Sequence, residues 1–389
     1  MKIALLSDCY TPRLGGIEVQ VHDLATRLIG RGHEVVAFTA TPGAHGERGG
    51  FVDEVDGVAV HRLALKLPFE LPVNPLAPRQ LRQLLAEGAF DVAHVHMGVV
   101  SPFAVDCVRV ATGLGLPTAI TWHCMLGSLE PVFRATRHVR RWASHGVAMS
   151  AVSAVAAAPL QRIVGSDGTV NVLSNGIDLD RWATPADRSA TRQAGDGIRV
   201  VAAMRLAARK RPIPLLRMMV RVRAQVPAEN RIRLEILGDG PDRARLERFI
   251  EAHDMREWVS LPGRVSRDEV RETYAAADIY VAPAPLESFG IAALEARTVG
   301  LPVVGRWGSG LEEFVKDGVN GYLAADDDAM AGSLARLVVD DELRGSMTSY
   351  NRTNPPEQSW DHILDGAEAE YRRAVALAGS ARRGRGAGR

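Results

Sequence analysis

The feature that most constrains the fold is a pattern present in both halves of the chain: a short apolar segment, a polar loop and an amphipathic helix. In the first half, KIALLS at 2–7 precedes the loop DCYTPRLGG and a helical pattern over about 17–31. In the second half, IRVVAAM at 198–204 starts the same order again. Strands that alternate with helices are typical of parallel, doubly wound sheets. The sequence therefore predicts an α/β protein with two such sheets.

The length of the chain sets the number of domains. Its 389 residues exceed what one core usually organises and fit two domains of about 150 to 200 residues each. We place these domains at 1–180 and 181–356, with a low-complexity, flexible loop at 184–197 opening the second. A last helix lies within 357–377, and 378–389 lacks apolar side chains and is expected to be disordered.

Composition excludes several classes of protein. The chain is 46% hydrophobic and 24% charged with a net charge of +1, which is typical of soluble globular proteins and gives no argument for nucleic-acid binding. Cys9, Cys107 and Cys124 have neither metal-ligand nor redox-pair spacing. The N-terminus is too quickly polar for a signal peptide, and no run of about 18 apolar residues occurs. We expect a cytoplasmic protein with reduced cysteines.

The segment at 284–305, APLESFGIAALEARTVGLPVVG, predicts a ligand site. Glu287 lies before a predicted helix and Glu295 lies inside it. Three residues open this helix with free backbone amides: Ser288, Phe289 and Gly290. These amides and the positive end of the helix dipole favour an anion such as phosphate. A carboxylate beside them repels phosphate but accepts hydrogen bonds from sugar hydroxyls, so the pattern favours a nucleotide sugar.

The same segment resembles the E-S-F-G-x-x-x-x-E-A signature of retaining glycosyltransferases of family 4 (group 1), including phosphatidylinositol mannosyltransferase-like members. The resemblance implies the GT-B fold, in which two Rossmann-like domains face each other across a cleft and the last helix returns to the first domain. It also implies that Glu287 holds donor-sugar hydroxyls, amides near Gly290 hold the diphosphate, and Glu295 holds the ribose. The alternative for this segment alone is an ordinary amphipathic helix with a capping glutamate.

Glycines and histidines of the first half add candidates. Gly15 and Gly16 follow the first strand, where they allow either a tight turn or close approach of a ligand; the family has a G-G loop here that contacts the donor diphosphate and the acceptor. His123 ends the strand in PTAITWHCM; such a histidine is often structural, but the family has one here that reaches the transferred sugar. His94 and His96 share one face of a strand, with no third ligand at metal spacing. His96 is a candidate for the cleft lining.

Two cations follow the first strand of the second half. Arg205 and Lys210 are either surface residues or fixed charges that neutralise a departing nucleoside diphosphate. Only four of the 47 basic residues are lysines, so a lysine in a motif is informative. The family pattern is G-R-x-x-x-x-K-G, and Met204 and Arg211 replace its glycines. In later motifs Ser309 replaces a glycine, and Val265 is the implied backbone contact of the base.

Together these arguments give two sets of site residues. The predicted catalytic residues are His123, Glu287, Arg205 and Lys210. The predicted nucleotide-sugar contacts are Gly15, Gly16, Arg205, Lys210, Val265, Glu287, Ser288, Phe289, Gly290, Ile291 and Glu295. No metal or other cofactor is expected, because the family works without a divalent metal.

A basic stripe is predicted in FRATRHVRRW. Four residues recur at helical spacing: Arg134, Arg137, His138 and Arg141. The stripe is either a solvated helix face or a contact with anionic lipid headgroups or an anionic acceptor. Peripheral binding to the inner face of the cell membrane is therefore one of the expectations.

The resemblance implies transfer of a hexose from a nucleoside diphosphate sugar to an acceptor hydroxyl, with retention. Mannose from GDP-mannose is favoured over UDP-sugars, and the acceptor is expected to be a lipid or glycoconjugate of the cell envelope. Two alternatives remain: a sugar-nucleotide epimerase or hydrolase on the same fold, and a nucleotide-sugar-binding protein with impaired catalysis. The oligomeric state is open.

Overall fold

The computed structural model describes residues 1–13, 15–65, 74–183 and 197–386, with side chains to residue 381. The chain forms two compact units, one of Met1–Gly176 with Trp360–Arg389 and one of Ile177–Ser359. Their boundaries differ by a few residues from the predicted domains at 1–180 and 181–356. Nearly all of the predicted low-complexity loop at 184–197 lies outside the described residues.

The first unit contains a sheet whose described strands are parallel except for one hairpin. The strands are β1 (Lys2–Ser7), β2 (Glu34–Thr39), β3 (Phe51–Val55), β4 (Val58–Arg62), β5 (Val92–Met97), β6 (Thr118–Trp122), β7 (Ala148–Ala151) and β8 (Val170–Val172). Their order is β3-β4-β2-β1-β5-β6-β7-β8, and only β3 and β4 are antiparallel. The order reverses between β1 and β5, and ligands of open parallel sheets bind at the carboxyl ends of strands at such a point.

Helices cover both faces of this sheet. They are α1 (Gly16–Gly30), α2 (Ala77–Glu87), α3 (Pro102–Gly113), α4 (Glu130–Thr136), α5 (His138–Ser144) and α6 (Ala154–Val164). Ile3 and Leu5 belong to one hydrophobic cluster, while Ala4 and Leu6 belong to another. Successive side chains of a strand point to opposite faces, so a strand buried on both sides is apolar throughout. This explains the continuous apolar run of β1.

The basic stripe predicted over 134–141 is wrong as a single helix face. α4 ends at Thr136, and Arg137 has a left-handed backbone with φ of 54° before α5 begins. Arg134 contacts Glu130 at 2.9 Å, and Glu130 also binds Arg162 at 2.7 Å. Because arginine is frequent in this chain, basic residues recur at helical spacing even where no single helix contains them. The left-handed Arg137 turns α5 away from the direction of α4.

The second unit contains a sheet whose described strands are all parallel. The strands are β9 (Ile198–Ala203), β10 (Ile232–Leu237), β11 (Val259–Gly263), β12 (Ile279–Val281), β13 (Val303–Arg306) and β14 (Gly321–Ala324). Their order is β11-β10-β9-β12-β13-β14, so the order reverses between β9 and β12. The helices are α7 (Leu179–Trp182), α8 (Pro212–Gln225), α9 (Arg243–Ala252), α10 (Arg267–Ala276), α11 (Ile291–Val299), α12 (Asp327–Val339) and α13 (Asp341–Thr353). The prediction of an α/β protein with two parallel sheets is confirmed.

The last helix, α14 (Trp360–Gly386), belongs to the first unit. Its buried residues, which include Ile363, Ala367 and Tyr371, lie in the same hydrophobic cluster as Ile3 and Leu5 of β1. The backbone stays helical to Gly386, whereas composition predicts disorder from residue 378. A helix anchored by packed turns extends at little further cost, and alanine and arginine are good helix formers.

Within the described ranges, none of the helices combines the length and apolar character that crossing a bilayer requires.

Candidate functional site

In the second unit, the predicted site residues meet where the strand order reverses. Lys210 ends a 3₁₀ turn after β9, and Glu287 lies in the loop after β12. The Nζ atom of Lys210 lies 2.5 Å from Oε2 of Glu287, and the two side chains are 26% and 18% exposed. Two motifs that are far apart in the sequence thus place a cation and a carboxylate in contact at the edge where such sheets bind ligands.

The helix start beside this ion pair depends on two glycines. Gly290 precedes α11 with φ of 90°, and a Cβ there would lie 2.8 Å from Cδ1 of Leu311. Gly310 donates its amide to the carbonyl oxygen of Glu287 at 2.7 Å, and a Cβ on Gly310 would lie 2.2 Å from the carbonyl oxygen of Ser288. Among the residues that the structure describes, no side chain caps the N-terminus of α11. Its first amides therefore remain suited to an anion, as the sequence predicts.

The other residues at the start of α11 have side chains that are either buried in the core or half-buried at the edge of the site. Phe289 is 1% exposed, and its ring centroid lies 5.6 Å from that of Phe314. Its side chain therefore supports the loop from the core. Ser288 and Ile291 are half-buried on either side of Gly290.

The predicted ribose contact, Glu295, lies in the second turn of α11 and has an arginine partner. Oε1 of Glu295 lies 3.7 Å from a guanidinium nitrogen of Arg267, the first residue of α10. Val265, the predicted base contact, is half-buried two residues before Arg267 and follows β11. The sequence did not identify Arg267, because an arginine in the first turn of a helix is unremarkable in a chain so rich in arginine.

Arg205 differs from Lys210 in its surroundings. It follows β9, is exposed, and makes no ion pair with the described residues. Lys210 is held by Glu287, whereas the Arg205 guanidinium is available to a phosphate without breaking a contact. Arginine binds phosphate bidentately, so such a side chain suits an anionic ligand that arrives from solvent.

Arg211 replaces a family glycine at a position with a left-handed backbone. Its φ is 59°, a conformation that favours glycine, and it directly precedes α8. Its guanidinium contacts both carboxylate oxygens of Asp327 at 3.1 and 2.7 Å, and Arg306 also binds Asp327 at 2.8 Å. The paired guanidinium offsets part of the backbone strain, so the substitution is compatible with the loop.

The other two departures from the family pattern are accommodated as well. Ser309 has φ of −117°, which any residue adopts, and its hydroxyl donates to the carbonyl oxygen of Arg306 at 2.6 Å. Met204 packs its backbone against Gly238, where a Cβ would lie 2.1 Å from the carbonyl oxygen of Met204. The backbone conformations at Met204 and Ser309 therefore do not require glycine.

In the first unit, the predicted glycine loop contains an acidic side chain that the sequence did not identify. Gly16 begins α1, and Gly15 precedes it in an extended conformation. A Cβ on Gly15 would lie 2.2 Å from Oε2 of Glu18, which is buried and contacts Arg13 at 3.3 Å. Both glycines are exposed. The absence of a side chain at Gly15 gives room to the Glu18 carboxylate within the first turn of α1.

Three histidines lie near the carboxyl ends of β5 and β6. Nδ1 of His96 lies 2.9 Å from Nε2 of His123, which follows β6. Nδ1 of His94 lies 2.9 Å from the hydroxyl of Tyr371, and its Nε2 lies 2.8 Å from Oγ1 of Thr121. His123 lies beside His94 and His96 because β5 and β6 are adjacent parallel strands, although the sequence shows no third histidine at metal-ligand spacing.

Burial keeps these histidines neutral. It lowers the pKa of His94 to about 3 and that of His123 to about 4, and it holds the pKa of His96 well below its usual range. Their ring nitrogens are largely used in hydrogen bonds. In the part of the chain that the structure describes, no group of three histidine, cysteine or acidic residues is arranged to hold a metal ion. A neutral imidazole offers a sugar hydroxyl a hydrogen bond without offering phosphate a charge.

Asp8 is a further buried group at this edge of the sheet. It follows β1, and its Oδ1 accepts the amide of Phe103 at 3.1 Å near the start of α3. Burial raises the pKa of its carboxyl to about 6, while hydrogen bonds from Ser101 and backbone amides act in the opposite direction. An aspartate after an apolar strand gives no sequence signal for such burial.

Solved structures share this architecture over nearly the whole chain. Sucrose-phosphate synthase from Thermosynechococcus elongatus matches with a TM-score of 0.76 and 21% identity, covering 96% of this chain and 99% of that one. HepE from Anabaena, solved in complex with UDP, matches with a TM-score of 0.73 and 20% identity, covering 95% and 99%. At these identities the likeness establishes the fold.

Similar proteins of known activity are glycosyltransferases. The D-inositol 3-phosphate glycosyltransferase of Xylanimonas cellulosilytica is 30% identical over 89% of both chains. The gpi3 subunit of phosphatidylinositol N-acetylglucosaminyltransferase from Schizosaccharomyces pombe is 25% identical over 94% of this chain and 79% of its own. The GDP-mannose-dependent alpha-(1-6)-phosphatidylinositol monomannoside mannosyltransferase of Mycobacterium tuberculosis is 26% identical over 93% and 96%.

Two family descriptions together match most of the chain. Residues 14–181 match Glycosyltransferase Family 4, and residues 184–354 match Glycosyl transferases group 1. With the fold and the curated relatives, these matches agree with the signature around Glu287. The chain therefore belongs to the family 4 glycosyltransferases, enzymes of GT-B fold.

Proposed function

We propose that this enzyme transfers a hexose from a nucleoside diphosphate sugar to a hydroxyl of a phosphoinositol-containing lipid or glycoconjugate of the cell envelope, with retention. The observation that carries this proposal is the contact between Lys210 and Glu287 beside the uncapped start of α11. A cation and free helix amides suit a diphosphate, and a carboxylate suits the hydroxyls of the sugar attached to it. Arg205 adds a second cation at the end of β9.

The acceptor class is supported by what three relatives have in common. One is named for D-inositol 3-phosphate, one for phosphatidylinositol and one for phosphatidylinositol monomannoside. Each name contains an inositol that carries a phosphate. We therefore propose this headgroup as the part of the acceptor that the enzyme recognises.

The donor proposed is GDP-mannose. The mycobacterial relative is named for it, whereas the yeast relative is named for N-acetylglucosamine transfer, and HepE was solved with UDP. The donor is thus the part of the proposal that most needs a direct comparison of sugars and nucleotides.

The proposed route to retention stabilises charge on the leaving group. A double displacement needs two carboxyl groups about 5 Å apart, one of them a free nucleophile. The carboxylate of Glu287 is bound to Lys210, and no second carboxylate contacts it among the described residues. In the proposed route, Arg205, Lys210 and the amides of α11 stabilise the departing diphosphate, whose oxygen takes the acceptor proton. His123 and Glu287 orient the sugar, and no metal is required.

Peripheral binding at the inner face of the cell membrane follows from a lipid acceptor and is part of the proposal. Arg137 and Arg141 are exposed and form no ion pair with described residues, so they can meet anionic headgroups although they do not form one helix stripe. Sedimentation with vesicles of phosphatidylcholine, with and without phosphatidylinositol, measures this. Equal sedimentation with both lipids would remove membrane contact from the proposal.

The test of function is nucleoside diphosphate release by the purified enzyme. GDP-, UDP- and ADP-sugars are compared with and without phosphatidylinositol or inositol phosphate, and with and without EDTA. We expect one donor to be turned over only with acceptor, EDTA to have no effect, and Glu287→Ala to abolish release. Glu247→Ala, which removes an exposed glutamate paired with Arg243 on α9, is the control. Equal release without acceptor would favour an epimerase or hydrolase, and binding without release with every donor would favour a protein with impaired catalysis.

A further inference from the structure

The pair formed by His96 and His123 borders a small cavity of the first unit. His96 is 4% exposed, and its Nε2 has no hydrogen-bond partner among the described residues. The cavity, of about 20 Å³, is lined by His96 and His123 together with polar groups that include Asn175 and Ser174.

The hydrogen bond between the two rings couples their protons. Both imidazoles are neutral, so the pair holds two protons on four ring nitrogens. One proton lies in the bond between Nδ1 of His96 and Nε2 of His123. The other lies either on Nε2 of His96 or on Nδ1 of His123. The tautomer of each histidine is therefore determined by the tautomer of the other.

We propose that His96 is a positioning residue for His123: it donates its Nδ1 proton to Nε2 of His123 and so fixes the His123 tautomer that carries its proton on Nδ1. This inference rests on the proposed contact between His123 and the donor sugar. In this tautomer, Nδ1 of His123 carries the proton, and His96 acts on the sugar only through His123.

The direction of the bond follows from the environment of His96. If His123 donated instead, the Nε2 of His96 would carry a proton with no protein acceptor in the described residues. A buried N–H group without an acceptor is rarer and costlier than a buried lone pair. The amide of Gln20 does not provide this acceptor, because it is bonded in both directions to Gly176 at 2.9 Å.

The ring of His96 is also held from the side away from His123. Its centroid lies 4.1 Å from that of His94, whose Nε2 atom lies 2.8 Å from Oγ1 of Thr121 in β6. This contact limits rotation of the His96 ring and keeps Nδ1 directed at His123. The network also provides a control, because Tyr371→Phe removes a buried 2.9 Å hydrogen bond that touches neither His96 nor His123.

Nitrogen NMR of the wild-type enzyme, labelled with ¹⁵N-histidine, tests the tautomer without activity. We expect Nδ1 to be protonated and Nε2 unprotonated in both rings, with resonances assigned from His96→Asn and His123→Ala. In His96→Phe, the resonance pattern of His123 should change, whereas in Tyr371→Phe it should not. Protonation of Nε2 of His123 in the wild-type enzyme would overturn the proposal.

Steady-state kinetics with the preferred donor provide the functional test. His96→Phe keeps the ring shape without the hydrogen bond and should lower kcat about 10- to 100-fold with little change in donor KM, as loss of an orienting partner does. His96→Asn, whose amide can donate from near the Nδ1 position, should recover most of this loss. Tyr371→Phe should lower stability but not kcat. A His96→Phe enzyme with wild-type kcat would contradict the positioning role.

The outcomes separate this inference from the proposed function. If the wild-type enzyme turns over no donor, the proposed function fails and the NMR experiment still decides the tautomer. If His123→Ala keeps full activity, the contact of His123 with the sugar fails, and the positioning role of His96 falls with it. If His123→Ala is inactive and His96→Phe is fully active, only the positioning role fails.

Discussion

Removing the charge of Glu287 should have opposite effects on nucleotide binding and on turnover. In the structure, Nζ of Lys210 is 2.5 Å from the Glu287 carboxylate, so a diphosphate must compete with that carboxylate for the cation. Glu287→Gln removes the competing charge and its repulsion of phosphate. We therefore expect the variant to bind GDP or UDP more tightly than the wild-type enzyme does, while it transfers sugar more slowly because the sugar hydroxyls lose an ionised acceptor.

The size of the gain follows from the burial of the pair. Exposed ion pairs contribute about 0–1 kcal/mol, whereas breaking a fully buried pair costs about 3–5 kcal/mol. Lys210 and Glu287 are 26% and 18% exposed, which places this pair between the two cases, at about 1–2 kcal/mol. That free energy corresponds to roughly 5- to 30-fold tighter binding of the nucleoside diphosphate. Loss of sugar orientation should lower kcat by about 100-fold.

Isothermal titration with GDP and UDP measures the first effect, and product release measures the second. Lys210→Met should weaken binding, and the double variant should show that the gain in Glu287→Gln requires the lysine. Glu247→Gln, in an exposed pair with Arg243, controls for loss of a negative charge and should leave both quantities unchanged. Equal or weaker diphosphate binding by Glu287→Gln would refute the competition between the carboxylate and the anion.

Three further variants test local features of the structure. Arg211→Ala should be less stable in urea than Arg211→Gly by about 1 kcal/mol, because both lose the ion pair but only glycine relieves the left-handed backbone at φ of 59°; the reverse order would contradict this. Burial raises the pKa of Asp8 from 3.8 to about 6, so wild-type stability falls as pH rises through that window; the unfolding free energy of Asp8→Asn relative to wild type should rise by up to about 3 kcal/mol between pH 4 and 7, and a flat difference would rule this out. Gly310→Ala should lower both melting temperature and turnover, because its Cβ would meet the Ser288 carbonyl oxygen at 2.2 Å, whereas Gly332→Ala on α12 meets nothing within 4 Å and should stabilise by about 0.5–1 kcal/mol; equal effects would show that the backbone contact is unimportant.

Local patterns in the sequence were sufficient to predict the class of fold. β1 and β9 are apolar because both of their faces are covered, and each is followed by a polar loop and a helix. The position of Glu287 before α11 and of Glu295 within it also follows from local spacing. The end of α14 was not predictable in this way, because its extension to Gly386 depends on the packed turns that precede it.

The contacts of the site were beyond such patterns, because they join distant segments. Neither the ion pair between Lys210 and Glu287 nor the hydrogen bond between His96 and His123 can be recognised from the spacing of residues along the sequence. Both depend on which strands are neighbours in the sheet. At Arg137, in contrast, local spacing predicted a helix face that does not exist. The basic residues have helical spacing, but Arg137 has a left-handed backbone that separates α4 from α5.

Each unit has a polar cluster at the carboxyl ends of its strands, and the two clusters differ in charge. In the first unit, burial keeps His96 and His123 neutral, so this cluster offers hydrogen bonds and no fixed cation. In the second unit, Lys210 and Arg205 supply fixed cations beside free helix amides. A nucleoside diphosphate sugar has both needs, because its diphosphate requires cations while its hexose requires neutral donors and a carboxylate acceptor.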